Sequence, residues 1–329
     1  MKILIIGVFD VPFSTNIEMF NAIKRLNHDV EYFDYRKNQK KTNFIIYKIL
    51  NYLFSYIRRL GFIPNIIKSP YYKILDRKKI NDNIINLNKK RNYDLVIFSK
   101  TDTINPETIK KISKISKTWY FFMDPIDQAK RINAKEYIKN SSFSSATFSD
   151  VKNYFDKYNS NNYWITQGVQ KNQKYFNKEK NNQIIFCGSK DQSRNNYINF
   201  LKKNGIRVTC FGNGWDNEPI YLDELNQLYK KALIVLNFCR EGDGFSIRVF
   251  QAMSSGAFIL TEYCKDIETF FDKNINIDWF TSANELLIKI NFYLINKNKA
   301  KNIAFNGYNL VNNNHTWDIK LKKLIEITR

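Results

Sequence analysis

Residues 241–256, EGDGFSIRVFQAMSSG, hold the densest chemistry in the chain. They follow an apolar run, LIVLNF, and precede another, AFILT. A glycine loop there runs from a buried strand into a helix. Ser246 is an expected N-cap, because its side-chain oxygen can accept from the first free N–H groups. Those N–H groups and the helix dipole suit a diphosphate. Arg248 in the first turn adds a charge-assisted contact. Gln251, one turn on, can reach a ribose hydroxyl. Asn237, Glu241, Gly244 and Phe245 complete the candidate contacts of this segment. The bland alternative is a capped surface helix with a solvated arginine.

Two more loops share the glycine character. Gly188-Ser189-Lys190 closes the run QIIFC, and Arg194 follows at the start of a helical pattern as a candidate phosphate clamp. Gly212-Asn213-Gly214-Trp215 closes RVTCF, and Trp215 or Tyr221 offers a ring for a base, with packing as the alternative role. Glycine at such places lets backbone N–H groups approach a phosphate. In the first half, Asp10 and Asp124 each end an apolar run and are candidate general bases for a hydroxyl. Capping of a turn or helix is their competing role. His315, before Thr316-Trp317-Asp318, reads as structural.

The elements that must position these residues alternate strand and helix, which implies parallel sheets and βαβ units. Strands are expected at 3–8, 30–35, 95–99, 119–123 and 146–149, and again at 183–187, 207–211, 233–238 and 257–261. The polar stretch QKNQKYFNKEKNN reads as a linker, so domains are expected over 1–169 and 170–315, with a last helix over 316–329. Ligands of such sheets bind beyond the carboxyl ends of the strands, where the glycines fall.

The bulk numbers fit this reading. The chain has 329 residues, enough for two α/β domains. Hydrophobic residues make up 43% and argue against disorder. The charge of +21, from 52 Lys+Arg and 31 Asp+Glu, attracts nucleotide diphosphates, anionic lipid or nucleic acid. Four cysteines without a CxxC pair and two histidines imply reduced thiols and no metal or cofactor. MKILIIGVFD reads as a first strand, not a signal peptide. Residues 42–63 lack a membrane-length apolar run but have amphipathic period, amid Lys37, Lys40, Lys41, Lys48, Arg58, Arg59 and Lys68. The expected place is cytoplasmic. That helix packs on the first domain or rests peripherally on an anionic inner membrane face.

Residues 185–318 resemble the C-terminal domain of CgeB-like glycosyltransferases, a GT-B group. The resembling pieces are IFCGSKDQSRNNYINFL, RVTCFGNGW, LYKKALIVLNF, GFSIRVFQAMSSGAFILTE, NELLIKINFYL and IAFNGYNLVNNNHTW. The family pattern R-x-F-E-A-x-x-x-G matches at Arg248, Phe250, Ala252 and Gly256 and departs at Gln251, where the family has Glu. The resemblance implies two Rossmann-like domains facing a cleft, with the last helix crossing back to the first. It implies a nucleotide-sugar donor (UDP, GDP or TDP) on the second domain, and catalysis without metal. Three functions stay open. One is a transferase of surface polysaccharide or glycoconjugate synthesis, with a glycan, lipid-linked or protein acceptor. The others are a phage-type DNA-modifying transferase and a non-catalytic nucleotide-sugar binder.

Overall fold

Runs of branched and aromatic residues with no polar alternation set the strands, since only a sheet covered on both faces buries such runs. The computed structural model describes residues 1–36, 49–50, 52–54, 56–57, 60, 62, 77–99, 101, 103–171, 175, 180–181, 183–239 and 242–329. They form two units. Unit 1 comprises Met1–Thr147, Val151–Ile165 and Ile325–Arg329; unit 2 comprises Phe148–Asp150 and Thr166–Leu324. The expected helix over 42–63 falls largely outside the described residues; 49–50, 52–54 and 56–57 are helical.

The first part of the chain runs β1 (Lys2–Gly7), α1 (Thr15–Arg25), β2 (Asp29–Asp34), α2 (Arg77–Arg91), β3 (Leu95–Ser99), α3 (Pro106–Ser113) and β4 (Lys117–Phe122). It continues through α4 (Ile126–Arg131), α5 (Lys135–Lys139), β5 (Phe143–Ala146), α6 (Ser149–Asp156) and β6 (Asn162–Trp164). The strands form one sheet in the order β2-β1-β3-β4-β5-β6, and every pairing is parallel. Ile3–Ile6 of β1 and Leu95–Phe98 of β3 are fully buried, each such side chain contributing about 1.5–3 kcal/mol. Strand order reverses between β1 and β3, where a doubly wound sheet opens a crevice. Buried Asn16 of α1 holds that point together. Its Nδ2 donates to the Val8 carbonyl at 3.1 Å, and its Oδ1 accepts from the Ser99 hydroxyl.

The rest of the chain repeats the scheme. It runs β7 (Ile184–Cys187), α7 (Gln192–Lys203), β8 (Val208–Phe211), α8 (Leu222–Lys231), β9 (Ile234–Asn237), α9 (Arg248–Ser254) and β10 (Ile259–Glu262). Then come α10 (Ile267–Phe270), β11 (Asp278–Phe280), α11 (Ala283–Ile295), α12 (Lys297–Asn314) and α13 (Trp317–Ile327). The sheet order is β11-β10-β9-β7-β8, all parallel. Successive strand residues alternate between two apolar layers. Ile185, Val235 and Ile259 enter one, and Ile184, Ile234 and Leu260 the other. The three-residue β11 (Asp-Trp-Phe) is absent from the sequence reading, because it is too short to show a period.

One part-buried polar pair fastens the end of α12. His315 stacks on Phe250 with ring centroids 4.7 Å apart, and its Nδ1 accepts from Lys320 Nζ at 3.0 Å. The adjoining backbone passes Val169: Val169 N donates to the His315 carbonyl at 3.1 Å, and Trp317 N to the Val169 carbonyl at 3.0 Å. The structural reading of His315 fits this packing. Burial, with the Lys320 charge, pushes His315 down to about 3. Burial also brings Lys320 down to about 8. Both groups bind fewer protons folded than unfolded, so both make stability rise with pH. His315 acts between its ordinary 6.5 and about 3. The melting temperature is therefore expected to fall as pH drops through that window. The slope attributable to His315 approaches about 1.4 kcal/mol per pH unit. Thermal melts of His315→Gln should show a flatter acid limb than the wild type.

Candidate functional site

The carboxyl ends of β7, β8 and β9 release three loops at one edge of the unit 2 sheet. The first two are knitted together by backbone. Gly188 N donates to the Phe211 carbonyl at 2.8 Å, and Lys190 N to the Asn213 carbonyl at 2.9 Å. Trp215 Nε1 donates to the Gly188 carbonyl at 2.9 Å. Gly212 has φ +135°, and a Cβ there would collide with the Gly188 carbonyl, 2.7 Å from its carbon. This position requires glycine on both counts. Lys190 Nζ lies 5.0 Å from the centroid of the Trp215 ring, so the ring carries a cation on one face. Tyr221, just before α8, is exposed.

Two guanidinium groups converge beside this knot. Arg194 of α7 lies 5.6 Å from the Phe186 ring centroid, and Arg248 of α9 lies 5.9 Å from the same ring. A Cβ on Gly188 would stand 3.3 Å from Arg248 Nη1, so the glycine gives Arg248 its place over the loop. Arg248 N also donates to the Ser246 hydroxyl oxygen at 3.2 Å. Arg194 is deeply buried. Its Nη1 donates to the Ser189 carbonyl at 2.8 Å and pairs with Asp191 at 3.1 Å. Asp191 caps α7 through the Arg194 N–H at 2.9 Å, which puts a carboxylate at that helix start. Arg194 thereby shapes the Gly188–Lys190 loop, in which Ser189 and Lys190 are exposed, with Arg248 half-buried beside it.

The third loop differs from the sequence reading in two respects. α9 begins at Arg248, two residues later than expected, although Ile247 already has helical φ and ψ and the Ser246 hydroxyl accepts the Arg248 N–H as a cap does. The helix is only seven residues long. The basic side chain, not a long helix dipole, dominates here. Glu241 lies outside the described residues. Gly244 sits against Phe148, whose ring would overlap a Cβ. Phe245 is buried among Phe250, Phe270 and Phe271, at 5.3, 5.7 and 5.5 Å. It supports the loop from beneath. Asn237 is 1% exposed. Its Nδ2 donates to Thr261 Oγ1 at 2.9 Å, tying β9 to β10. Gln251, half-buried on α9, has no side-chain hydrogen bond among the described residues.

Three supports escape sequence reading. Phe186 looks like one more core aromatic. Phe148 and Ser149 come from far along the chain; Ser149 N donates to buried Asp266 Oδ2 at 3.0 Å. Burial pushes the Asp266 carboxyl up. Asp266 N in turn donates to the Asp243 carbonyl at 2.9 Å, so this set fastens the glycine loop. In unit 1, Asp10 follows β1 and pairs with Arg36 at 3.8 Å. Asp124 follows β4 and is half-buried. β3 lies between the two strands, so their ends stand about 10 Å apart. Among the described residues, no group of three or more His, Cys, Asp or Glu side chains is arranged to hold a metal.

Residues 194–326 match the family model described as glycosyl transferase-like. No curated protein sequence matches the chain. Among solved structures, Anabaena HepE in complex with UDP-glucose aligns with TM-score 0.64 and 13% identity, covering 99% of this chain and 98% of that one. A lipopolysaccharide outer core galactosyltransferase, WaaB, aligns with TM-score 0.65 and 14% identity, covering 99% of each chain. The fold is GT-B. TarM aligns with TM-score 0.58 and 12% identity over 76% of this chain, which spans 58% of TarM's length. At such identities the likeness carries the GT-B fold alone. Gly212 resists a side chain both by its positive φ and by the Gly188 peptide beside it. Gly212→Ala is expected to lower stability by about 1–3 kcal/mol, read as a lower denaturant midpoint with an unchanged slope.

Proposed function

We propose that the protein is a glycosyltransferase that moves a sugar from a nucleoside-diphosphate sugar to an acceptor hydroxyl. The observation that carries this reading is the convergence of Arg248 and Arg194 on Phe186 and the Gly188 loop. A guanidinium beside close-approaching backbone suits a diphosphate. The glycosyl transferase-like match over residues 194–326 and the UDP-glucose complex of HepE support the same donor class. The bond from the anomeric carbon to the diphosphate breaks, and a bond to the acceptor oxygen forms. Arg248 and Lys190 stabilise the charge on the leaving diphosphate, so the reading needs no metal. Asp10 or Asp124 takes the acceptor proton. Gln251 offers one acceptor and one donor group to a ribose. We assign the acceptor to a surface polysaccharide or glycoconjugate.

Thermal shift against UDP, GDP, CDP, TDP and their common sugars tests the donor site. A ligand at about 100 times its Kd adds roughly 2.7 kcal/mol of stability. One nucleotide is expected to raise the melting temperature, and Arg248→Ala to abolish that rise. Absence of any response, or a response indifferent to Arg248→Ala, overturns the site. Binding without hydrolysis or transfer to any acceptor would favour the non-catalytic alternative that Gln251 keeps in view.

We also propose peripheral contact with an anionic bilayer. Ile49, Leu50, Tyr52, Leu53, Tyr56 and Ile57 are each at least 40% exposed, as are Leu60 and Phe62. Lys48, Arg58 and Arg59 interleave with them in the sequence, a combination that suits apolar burial beside anionic headgroups. No helix among the described residues is long and apolar enough to cross a membrane. The protein is expected to float with phosphatidylglycerol vesicles at low salt and not with phosphatidylcholine. Leu53→Glu with Ile57→Glu should reduce flotation at least several-fold. Unchanged flotation of that variant would sink the proposal.

A further inference from the structure

Two neighbouring strands part where the glycine loop leaves the unit 2 sheet. The register pairs Asn237 of β9 with Thr261 of β10. Beyond that point β10 stays with β11: Glu262 is opposite Phe280, and Tyr263 N donates to the Phe280 carbonyl at 2.8 Å. β9 instead ends at Asn237, and the chain turns towards the glycine loop. The Cys239 N–H thus lies past the ladder, and a backbone donor inside a protein needs an acceptor. The Glu262 side chain supplies it. Its Oε2 accepts from Cys239 N at 3.0 Å, and Cys239 Sγ donates back to the Glu262 carbonyl at 3.3 Å. The other carboxylate oxygen, Oε1, accepts from the Tyr197 hydroxyl at 3.0 Å.

One half-buried carboxylate therefore joins three pieces of the candidate site: β10, the start of the glycine loop, and α7. Tyr197 follows Arg194 by three residues on α7, which places both on one face of the helix. The Tyr197 ring stacks on Phe238 with centroids 5.1 Å apart. Phe238 meets Phe186 edge-on, also at 5.1 Å, and Phe186 is the ring beside which Arg194 and Arg248 converge. Burial, with the Glu262 charge, pushes the Tyr197 phenol up to about 12, so it stays protonated and keeps donating. Both donors to Glu262 are neutral groups, so nothing in this contact offsets the carboxylate's negative charge. As a charge alone, Glu262 opposes a bound diphosphate; as a tether, it favours one.

We propose that Glu262 is a positioning residue of the donor site, its carboxylate tethering the start of the glycine loop to α7, with the effect on the ligand resting on the donor-site reading above. Arg248 stands at the far end of that loop and Arg194 on α7. Fixing the one piece against the other fixes the spacing of the two guanidinium groups. A small misplacement of such groups costs much of their effect on a bound ligand. Glu262 acts through Cys239 and Tyr197, not by touching the nucleotide.

Hydrogen–deuterium exchange of the full-length protein, without ligand, tests the tether first. Glu262→Ala is expected to speed exchange of the Cys239 amide and the loop after it at least ten-fold, and to leave β8 unchanged. Unchanged exchange at Cys239 overturns the tether. Calorimetric titration with UDP, GDP, CDP and TDP then tests its effect. The nucleotide that the wild type binds should bind Glu262→Ala at least ten-fold more weakly, at the same stoichiometry. Glu262→Gln, whose single carbonyl oxygen can still accept from Cys239 N, and Tyr197→Phe, which loses one hydroxyl, should each fall between the two. Tighter or equal binding by Glu262→Ala overturns the positioning role, because removal of a mere negative charge has that sign. Wild-type affinity in Tyr197→Phe overturns the link to α7, whether or not Glu262→Ala folds. Absence of nucleotide binding by the wild type, with the exchange difference present, refutes the donor reading and the effect on it, and leaves the tether standing.

Discussion

The candidate donor edge depends on how closely two loops approach at Gly188. Its carbonyl takes the indole N–H of Trp215, and its N–H reaches the Phe211 carbonyl. No atom can be added at Gly212 without striking that same peptide. A buried carbonyl left unbonded costs about 1–3 kcal/mol, so the indole secures the knot as well as filling space. Once the peptide is fixed, Arg248 has a floor to lie on, and Phe186 has two guanidinium groups within 6 Å of its ring centroid.

The second constraint comes from beneath. Phe245, Phe250, Phe270 and Phe271 pack as an aromatic layer under the glycine loop, and His315 joins it through Phe250. The loop is thus held from below by rings and from the side by the Ser149–Asp266–Asp243 set. Such support holds the loop backbone in one conformation.

Much of this was legible in residue order. Long buried strands such as Leu95–Ser99 and Ile184–Cys187 announce themselves, because an apolar run bounded by turn residues has few other uses. Gly188, Gly212 and Arg248 were legible because strand ends in parallel sheets are where ligands meet backbone. Other features were not. β11 is too short to show a period, and α9 is only seven residues long. Asp191 gave no sign that it would put its carboxylate on the start of α7. Phe148 could not be tied to Gly244, since contact between residues so far apart leaves no local pattern.

Unit 1 is assembled from pieces distant in sequence, and that has a consequence for synthesis on the ribosome. The ammonium of Lys117 donates to the carbonyl of Thr328, and also to that of Arg329 at 3.2 Å. Ile325–Arg329 belong to the same unit as Met1–Thr147. A nascent chain exposes Lys117 long before Thr328 is made. The sheet of unit 1 can form early. Its closing contacts wait for residues 325–329 to be made, so the unit begun first is completed late.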